Sequence, residues 1–250
     1  MTGARYPCLA GRSVVVTGGA SGIGAAMAEA FASQGALVSV LDVDAPAGQA
    51  LAARLPGAAC HTCDVTDTPA LRATLAQIEA ARGIHVLVNN AGNDERHAMA
   101  DVEPDGWRRT LALNLDHQFF ATQAVASAMA ARGSGVVILM GSVSWMRGRP
   151  GLVGYTTAKA AINGLTRTFA RELGSSGIRV NCIVPGAILT ERQQALWLTP
   201  ALNQEFIDLQ ALKFRLDATH VARLALFLAS DEAAGCTGAN FVCDAGLTQN

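Results

Sequence analysis

The chain has 250 residues, of which 50% are hydrophobic and 16% charged, with a formal net charge of −1. That is ample material for a buried core in one large domain, and it excludes a disordered chain. No basic stripe marks a nucleic-acid partner or a membrane surface, the N-terminal MTGARYPCLAGR lacks the apolar run of a signal peptide, and the most apolar stretches, such as 136–140, are far too short to span a bilayer.

The first β-branched run, SVVVTGG at 13–19, leads straight into a helical pattern at 22–34. Between them Gly18, Gly22 and Gly24, spaced G-x-x-x-G-x-G, let backbone approach a phosphate closely, and the helix offers its N-terminal amides to it. The second strand, ALVSVLDV at 36–43, ends near Asp42. A carboxylate there can accept hydrogen bonds from the adenosine ribose hydroxyls and would repel a 2′-phosphate. No Arg or Lys stands beside it, and Ser21 rather than a basic residue precedes Gly22, so NAD is the expected cofactor.

A helical pattern at 45–54 is followed by the strand-like run 59–65, which contains Cys60 and Cys63. Their odd separation points the two thiols to opposite faces of a strand, and no second ligand pair follows at zinc spacing, so packing and not metal binding is expected. All six cysteines read as free thiols of a cytoplasmic protein. Helical patterns at 68–82, 104–131, 154–174 and 218–230 alternate with strands at 85–90, 135–142, 178–186 and 240–246. Asn114 falls inside the 104–131 pattern, where Asn is a mediocre helix former and wants a reason. Ser142 closes its strand.

Several strands are nearly continuous apolar runs, as strands covered on both faces are. Strict alternation predicts a doubly wound α/β fold with a parallel sheet and right-handed crossovers, one domain over 1–250. The long excursion after the strand at 178–186 predicts a substrate lid at about 187–217, carrying short helices of its own.

The segment GYTTAKA at 154–160 stands out because the chain holds only two tyrosines and two lysines, and one of each is here. Tyr155 and Lys159 are i and i+4 on a helix whose apolar stripe is Ala158, Ile162, Leu165, Phe169 and Leu173. They share a face about 60° round from that stripe. Tyrosine, with a free pKa of about 10, is a poor base at neutral pH. A nearby ammonium is expected to lower that value.

TGGASGIG, NNAG at 89–92, Ser142, YTTAK and PGAILT at 185–190 together resemble the short-chain dehydrogenase/reductase family over essentially the whole chain. The resemblance implies a Rossmann fold with strand order 3-2-1-4-5-6-7, and commonly a homotetramer. It makes Tyr155 the general acid/base, Lys159 its tuner and a ribose ligand, Ser142 the residue that orients the substrate oxygen, and Asn114 a holder of a water for proton relay. It places the cofactor against Gly18, Ser21, Gly22, Ile23, Gly24, Asp42, Asp64, Val65, Asn90, Ala91, Gly92, Tyr155, Lys159, Pro185, Gly186, Ile188 and Thr190. CDAG, near the C-terminus, departs from the family, many of whose members carry a second glycine there.

The polar cluster 93–97, Trp145 and the lid opening TERQ look similar to the aldose 1-dehydrogenases of this family. A sugar needs several donors and acceptors around it, and an indole suits a pyranose ring face. Asn93 and Gln193 are the candidate hydroxyl ligands and Trp145 the candidate wall, with Ser142 and Tyr155 on the reacting oxygen. The leading expectation is oxidation of an aldose at C1 to the lactone. The alternatives are another secondary alcohol or ketone of polyol, 3-oxoacyl or steroid type, or a catalytically inactive nucleotide sensor.

Overall fold

The computed structural model describes residues 3–196 and 198–248. Trp197, within the expected lid, and the chain ends beyond those limits lie outside the described residues. In chain order, β1 (Ser13–Thr17), α1 (Gly22–Ser33), β2 (Leu37–Asp42), α2 (Ala45–Arg54), β3 (Ala59–Thr62), α3 (Thr68–Arg82) and β4 (Val86–Asn89) form the first half. The second half holds α4 (Pro104–Leu111), a π-helical turn (Ala112–Asp116), α5 (His117–Arg132), β5 (Gly135–Met140), α6 (Val153–Leu173) and β6 (Ile178–Pro185). The chain then runs through β7 (Ile188–Leu189), α7 (Glu191–Leu196), α8 (Pro200–Leu209), β8 (Leu216–Asp217), α9 (Ala218–Ala229) and β9 (Asn240–Cys243).

The main sheet has seven strands in the order β3-β2-β1-β4-β5-β6-β9, every neighbouring pair parallel. This is the expected fold class. The last strand is the seventh of that sheet, because β7 and β8 pair only with each other, Ile188 opposite Leu216 and Leu189 opposite Asp217. Winding reverses between β1 and β4, which opens a crevice at the C-terminal ends of the strands there.

Period-2 alternation sorts the strand side chains into two cores. Val14, Val16, Val38 and Val40 pack with Met27 and Phe31 of α1 and Val221 and Ala225 of α9. Val15, Leu41, Leu87 and Val137 face the other way, onto Leu71 and Leu75 of α3, Val125 and Met129 of α5, and Ile162 and Phe169 of α6. Cys63 joins this second core. Cys60 faces α2, so closely that a Cβ on Gly48 would fall 2.5 Å from its Sγ. The two thiols thus lie on opposite sides of the sheet.

Local signals set the helix starts. Asp44 caps α2 by accepting from the Ala47 N–H at 3.0 Å, and Asp67 caps α3 by accepting from the Ala70 N–H at 3.0 Å. Asp217 and His220 form a capping box at the start of α9. The helical pattern expected over 104–131 is an unbroken helical run over 104–132, in which a π-turn separates α4 from α5, with Asn114 at the turn's centre.

Candidate active site

β1 delivers the chain into a turn that only glycine fits. Gly18 has φ +60°, and a Cβ on it would fall 2.8 Å from Ala91 Cα; one on Gly24 would fall 2.0 Å from the Gly18 carbonyl oxygen. Asn90, just past β4, fastens the turn: its Nδ2 donates to the carbonyls of Thr17 at 3.0 Å and Gly18 at 2.9 Å. α1 starts there with Ser21 as its N-cap, and no side chain caps the helix. Its first amides are therefore left for a ligand in the crevice.

That crevice is a cavity of about 590 Å³. Its wall contains every residue expected to touch the cofactor, from Gly18, Ser21, Gly22, Ile23 and Gly24 through Asp42, Asp64, Val65, Asn90, Ala91 and Gly92 to Pro185, Gly186, Ile188 and Thr190. A close-approach glycine turn, an uncapped helix start and a carboxylate at the end of β2 together fit a dinucleotide. Asp42 is held in place by accepting from the Ala20 N–H at 2.9 Å and the Asp44 N–H at 3.1 Å. One oxygen of Asp64 is engaged by Thr66, through its N–H at 2.8 Å and its hydroxyl at 2.7 Å.

The chemistry-bearing side chains gather at the middle of the cavity. Ser142 follows β5, and α6 presents Tyr155 and Lys159 on one face. Lys159 is only 3% exposed. Its Nζ lies 5.5 Å from the centre of the Tyr155 ring and donates to the Met140 carbonyl at 2.9 Å. A Cβ on Gly92 would fall 2.9 Å from Asn114 Oδ1 and 3.4 Å from Lys159 Nζ, so the loop after β4 needs glycine to pass between them.

Burial decides the titration of both groups. Tyr155 is pushed up to about 12, first by burial and further by the Asp94 carboxylate, while a hydrogen bond with Ser142 pulls the other way. Burial pushes Lys159 down to about 8. Burial thus moves the phenol opposite to the direction expected of a nearby ammonium. His117, buried one turn from Asn114, is pushed down to about 3 by burial and by Lys159, so it stays neutral.

Two expected site residues stand as follows. Asn114 Oδ1 accepts from the Asn93 N–H at 2.9 Å, and both Nδ2 hydrogens are used, donated to the carbonyls of Asn93 at 3.1 Å and Thr110 at 3.0 Å. Trp145 is absent from the cavity wall, which Val143, Ser144, Arg147, Arg149, Leu152 and Phe206 form instead. The chain after β5 winds like a helix, with the Arg147 N–H donating to the Val143 carbonyl at 3.1 Å. That winding puts 143 and 147 on one side and 145 on the other.

Asn93 and Gln193 both line the cavity. The Asn93 Oδ1 accepts from Arg192 at 2.6 Å, and Arg192 lies 3.9 Å from Asp94, so the lid and the loop after β4 are tied together. The Gln193 Oε1 is buried without a partner among the described residues. Sequence reasoning passed over Gln118, whose amide clasps the end of β5. Its Oε1 accepts from the Met140 N–H at 3.2 Å and its Nε2 donates to the Met140 carbonyl at 3.3 Å. It also passed over Arg147, Arg149 and Phe206. A polar residue at i+4 from Asn114 was the one available signal for Gln118.

The family model described as enoyl-(acyl carrier protein) reductase matches residues 18–248. A D-xylose 1-dehydrogenase of Caulobacter vibrioides is 48% identical over 98% of this chain and 99% of its own length. A probable galactose dehydrogenase of Rhizobium meliloti is 42% identical over 97% of each chain. Among solved structures, a putative gluconate dehydrogenase from Agrobacterium tumefaciens superposes with a TM-score of 0.92 at 29% identity, covering 99% of this chain and 100% of that one. A short chain dehydrogenase/reductase family protein superposes with a TM-score of 0.88 at 32% identity, over 97% and 100%.

Proposed function

The chain belongs to the short-chain dehydrogenase/reductase family and is an oxidoreductase that works with a nicotinamide cofactor on a small molecule, and from that premise we propose that it oxidises an aldose at C1 to the lactone with NAD. The observation that carries the reading is the convergence of Ser142, Tyr155 and Lys159 with a polar wall of Asn93, Asp94 and Gln193 in one cavity. Such a wall suits a ligand with many hydroxyls better than a steroid or an acyl chain. The similarity to dehydrogenases named for xylose and galactose supports the same substrate class.

In this reading Tyr155, having first lost its own proton, takes the proton of the C1 hydroxyl as the phenolate, and Ser142 beside it holds the same oxygen. The nicotinamide, when bound, accepts the hydride from C1. Lys159 supplies a buried positive charge beneath the tyrosine ring and a donor for a ribose hydroxyl. The role of Asn114 is to hold Asn93, and with it the loop that borders the substrate.

NAD is preferred because Asp42 faces the dinucleotide end of the cavity and no Lys or Arg lines that end among the described residues. Free thiols at all six cysteines suit the reducing cytoplasm. Among the described residues, no helix is long and apolar enough to cross a membrane. We assign a homotetramer on family grounds, checked by sedimentation equilibrium.

The test is a scan of aldoses, polyols, 3-oxoacyl compounds and steroids with NAD and NADP, following absorbance of the reduced cofactor. Turnover of aldoses above the other classes is expected. Faster turnover of hydrophobic ketones or steroids would overturn the substrate class.

A further inference from the structure

The two ends of the cavity differ in charge. Asp42 and Asp64 stand at the dinucleotide end, whereas four arginines, Arg96, Arg147, Arg149 and Arg192, line the substrate end beside the carboxylates Asp94 and Glu191. Arg192 is engaged with Asn93 and Asp94. Arg147 and Arg149 are different: among the described residues, neither guanidinium has a carboxylate oxygen within 4.0 Å.

Both instead approach the ring of Phe206 in α8, at 5.8 and 5.5 Å from its centre, and Arg215 stands over the same ring at 4.9 Å. Phe206 is buried, 3% exposed. All three guanidinium nitrogens of Arg215 are buried without a hydrogen-bond partner among the described residues. Three like charges thus converge on one apolar ring. Burial lowers the pKa of Arg149, and Arg147 and Arg96 lower it further, with Glu205 pulling the other way. Crowding unpaired cations opposes folding unless a ligand completes the group. The guanidinium fork matches carboxylate and phosphate oxygens.

We propose that this end of the cavity receives an anionic group, so that the substrate is an aldose bearing a carboxylate or a phosphate away from C1, with Arg147 and Arg149 as its ligands. This rests on the aldose reading above. The anionic group takes no part in the redox step: C1 gives its hydride to the nicotinamide and its hydroxyl proton to Tyr155, as for a neutral sugar.

The experiment measures kcat and KM with NAD for D-galacturonate, D-glucuronate, D-galactose 6-phosphate, D-galactose and D-xylose. The expected result is a kcat/KM for one anionic class exceeding its neutral parent by about 100-fold or more. The hexuronate and phosphate arms decide between carboxylate and phosphate. Arg147→Leu and Arg149→Leu should each lower the anionic-to-neutral ratio by about 10- to 100-fold, mainly through KM, and Arg149→Lys should restore part of it. Where a variant unfolds, the ratio in the unaltered protein decides. Equal or better turnover of neutral aldoses overturns the proposal and leaves the aldose reading standing. So does a ratio unmoved by both leucine variants, which would leave the arginines as packing for Phe206. Reduced cofactor from no sugar at all sinks both readings.

Discussion

Asn114 holds both main-chain polar groups of Asn93, accepting from its N–H at 2.9 Å and donating to its carbonyl at 3.1 Å. The side chain thereby replaces a strand partner for a loop that has none. It can do so because the π-turn places position 114, 1% exposed, inside the fold. Asn114→Leu leaves the part-buried N–H and carbonyl of Asn93 without this partner, at up to about 1–3 kcal/mol each. A clear fall in thermal midpoint is expected together with a rise in KM for the sugar. A variant with unchanged midpoint and KM would remove the clasp from the account.

Tyr155→Phe keeps the ring packing and deletes the hydroxyl that shares the cavity with Ser142. Turnover should fall by at least about 10²- to 10⁴-fold, the usual worth of a positioned acid/base. NAD affinity, read by fluorescence titration, should stay within a few-fold. Near-normal kcat in the variant would exclude Tyr155 from the proton transfer.

Lys159→Met exchanges a buried ammonium for an apolar chain of similar length. The folded-state value of about 8 lies below the ordinary 10.5, so the unfolded chain binds the proton more tightly. Below pH 8 the protein bears the whole penalty, on the order of 3 kcal/mol. The penalty shrinks as pH rises from 8 to 10.5 and is absent above. The variant should therefore be more stable than the parent at pH 7, with the gap closing by pH 10.5, while activity is lost. The Met140 carbonyl keeps Gln118 as a donor at 3.3 Å. Urea midpoints at the two pH values read this directly; a gap independent of pH would mean that Lys159 is not buried as a cation.

Asp42→Ala removes a carboxylate that faces the dinucleotide end and also orders the glycine turn through the Ala20 N–H. The preference for NAD over NADP should fall by about 1–3 kcal/mol, with weaker binding of NAD itself. Asp42→Asn keeps an acceptor for the turn and isolates the charge. Cofactor selectivity that survives both changes would locate discrimination elsewhere.

Ala245 is the only non-glycine residue with positive φ among those described, at 56°. It stands where the sequence departs from the family's second glycine. A left-handed alanine costs about 1–2 kcal/mol, against roughly 0.4–1 kcal/mol for the added freedom of glycine when unfolded. Ala245→Gly should therefore raise the unfolding free energy slightly or leave it unchanged. A clear loss of stability would show that the methyl group itself is needed.

Periodicity read from the sequence places most elements within a residue or two, because the long helices bury one apolar face and the strands of the main sheet are covered on both. The 104–131 helix was legible as one run, and only its π-turn was not, since that turn adds one residue to a helix without disturbing its apolar stripe for long. Trp145 is the expected wall because an indole suits a pyranose face, and the helical winding from Val143 to Arg147 places it on the other side from Val143 and Arg147. Phe206 and Arg149 are 57 positions apart in sequence, so their approach at 5.5 Å is a property of the folded lid and not of any local pattern. The Tyr155–Lys159 spacing was legible; the burial that pushes the tyrosine up was not.

The small β7–β8 pair holds the two ends of the lid side by side, Ile188 opposite Leu216. The segment between them leaves and re-enters the body at one place, so its length is decoupled from the register of the main sheet. Closing a loop twice as long costs only about 0.6 kcal/mol more. The lid is thus an exchangeable cassette: a lineage can lengthen, shorten or recharge it, and so change which molecules are admitted, without re-solving the folding of the scaffold beneath.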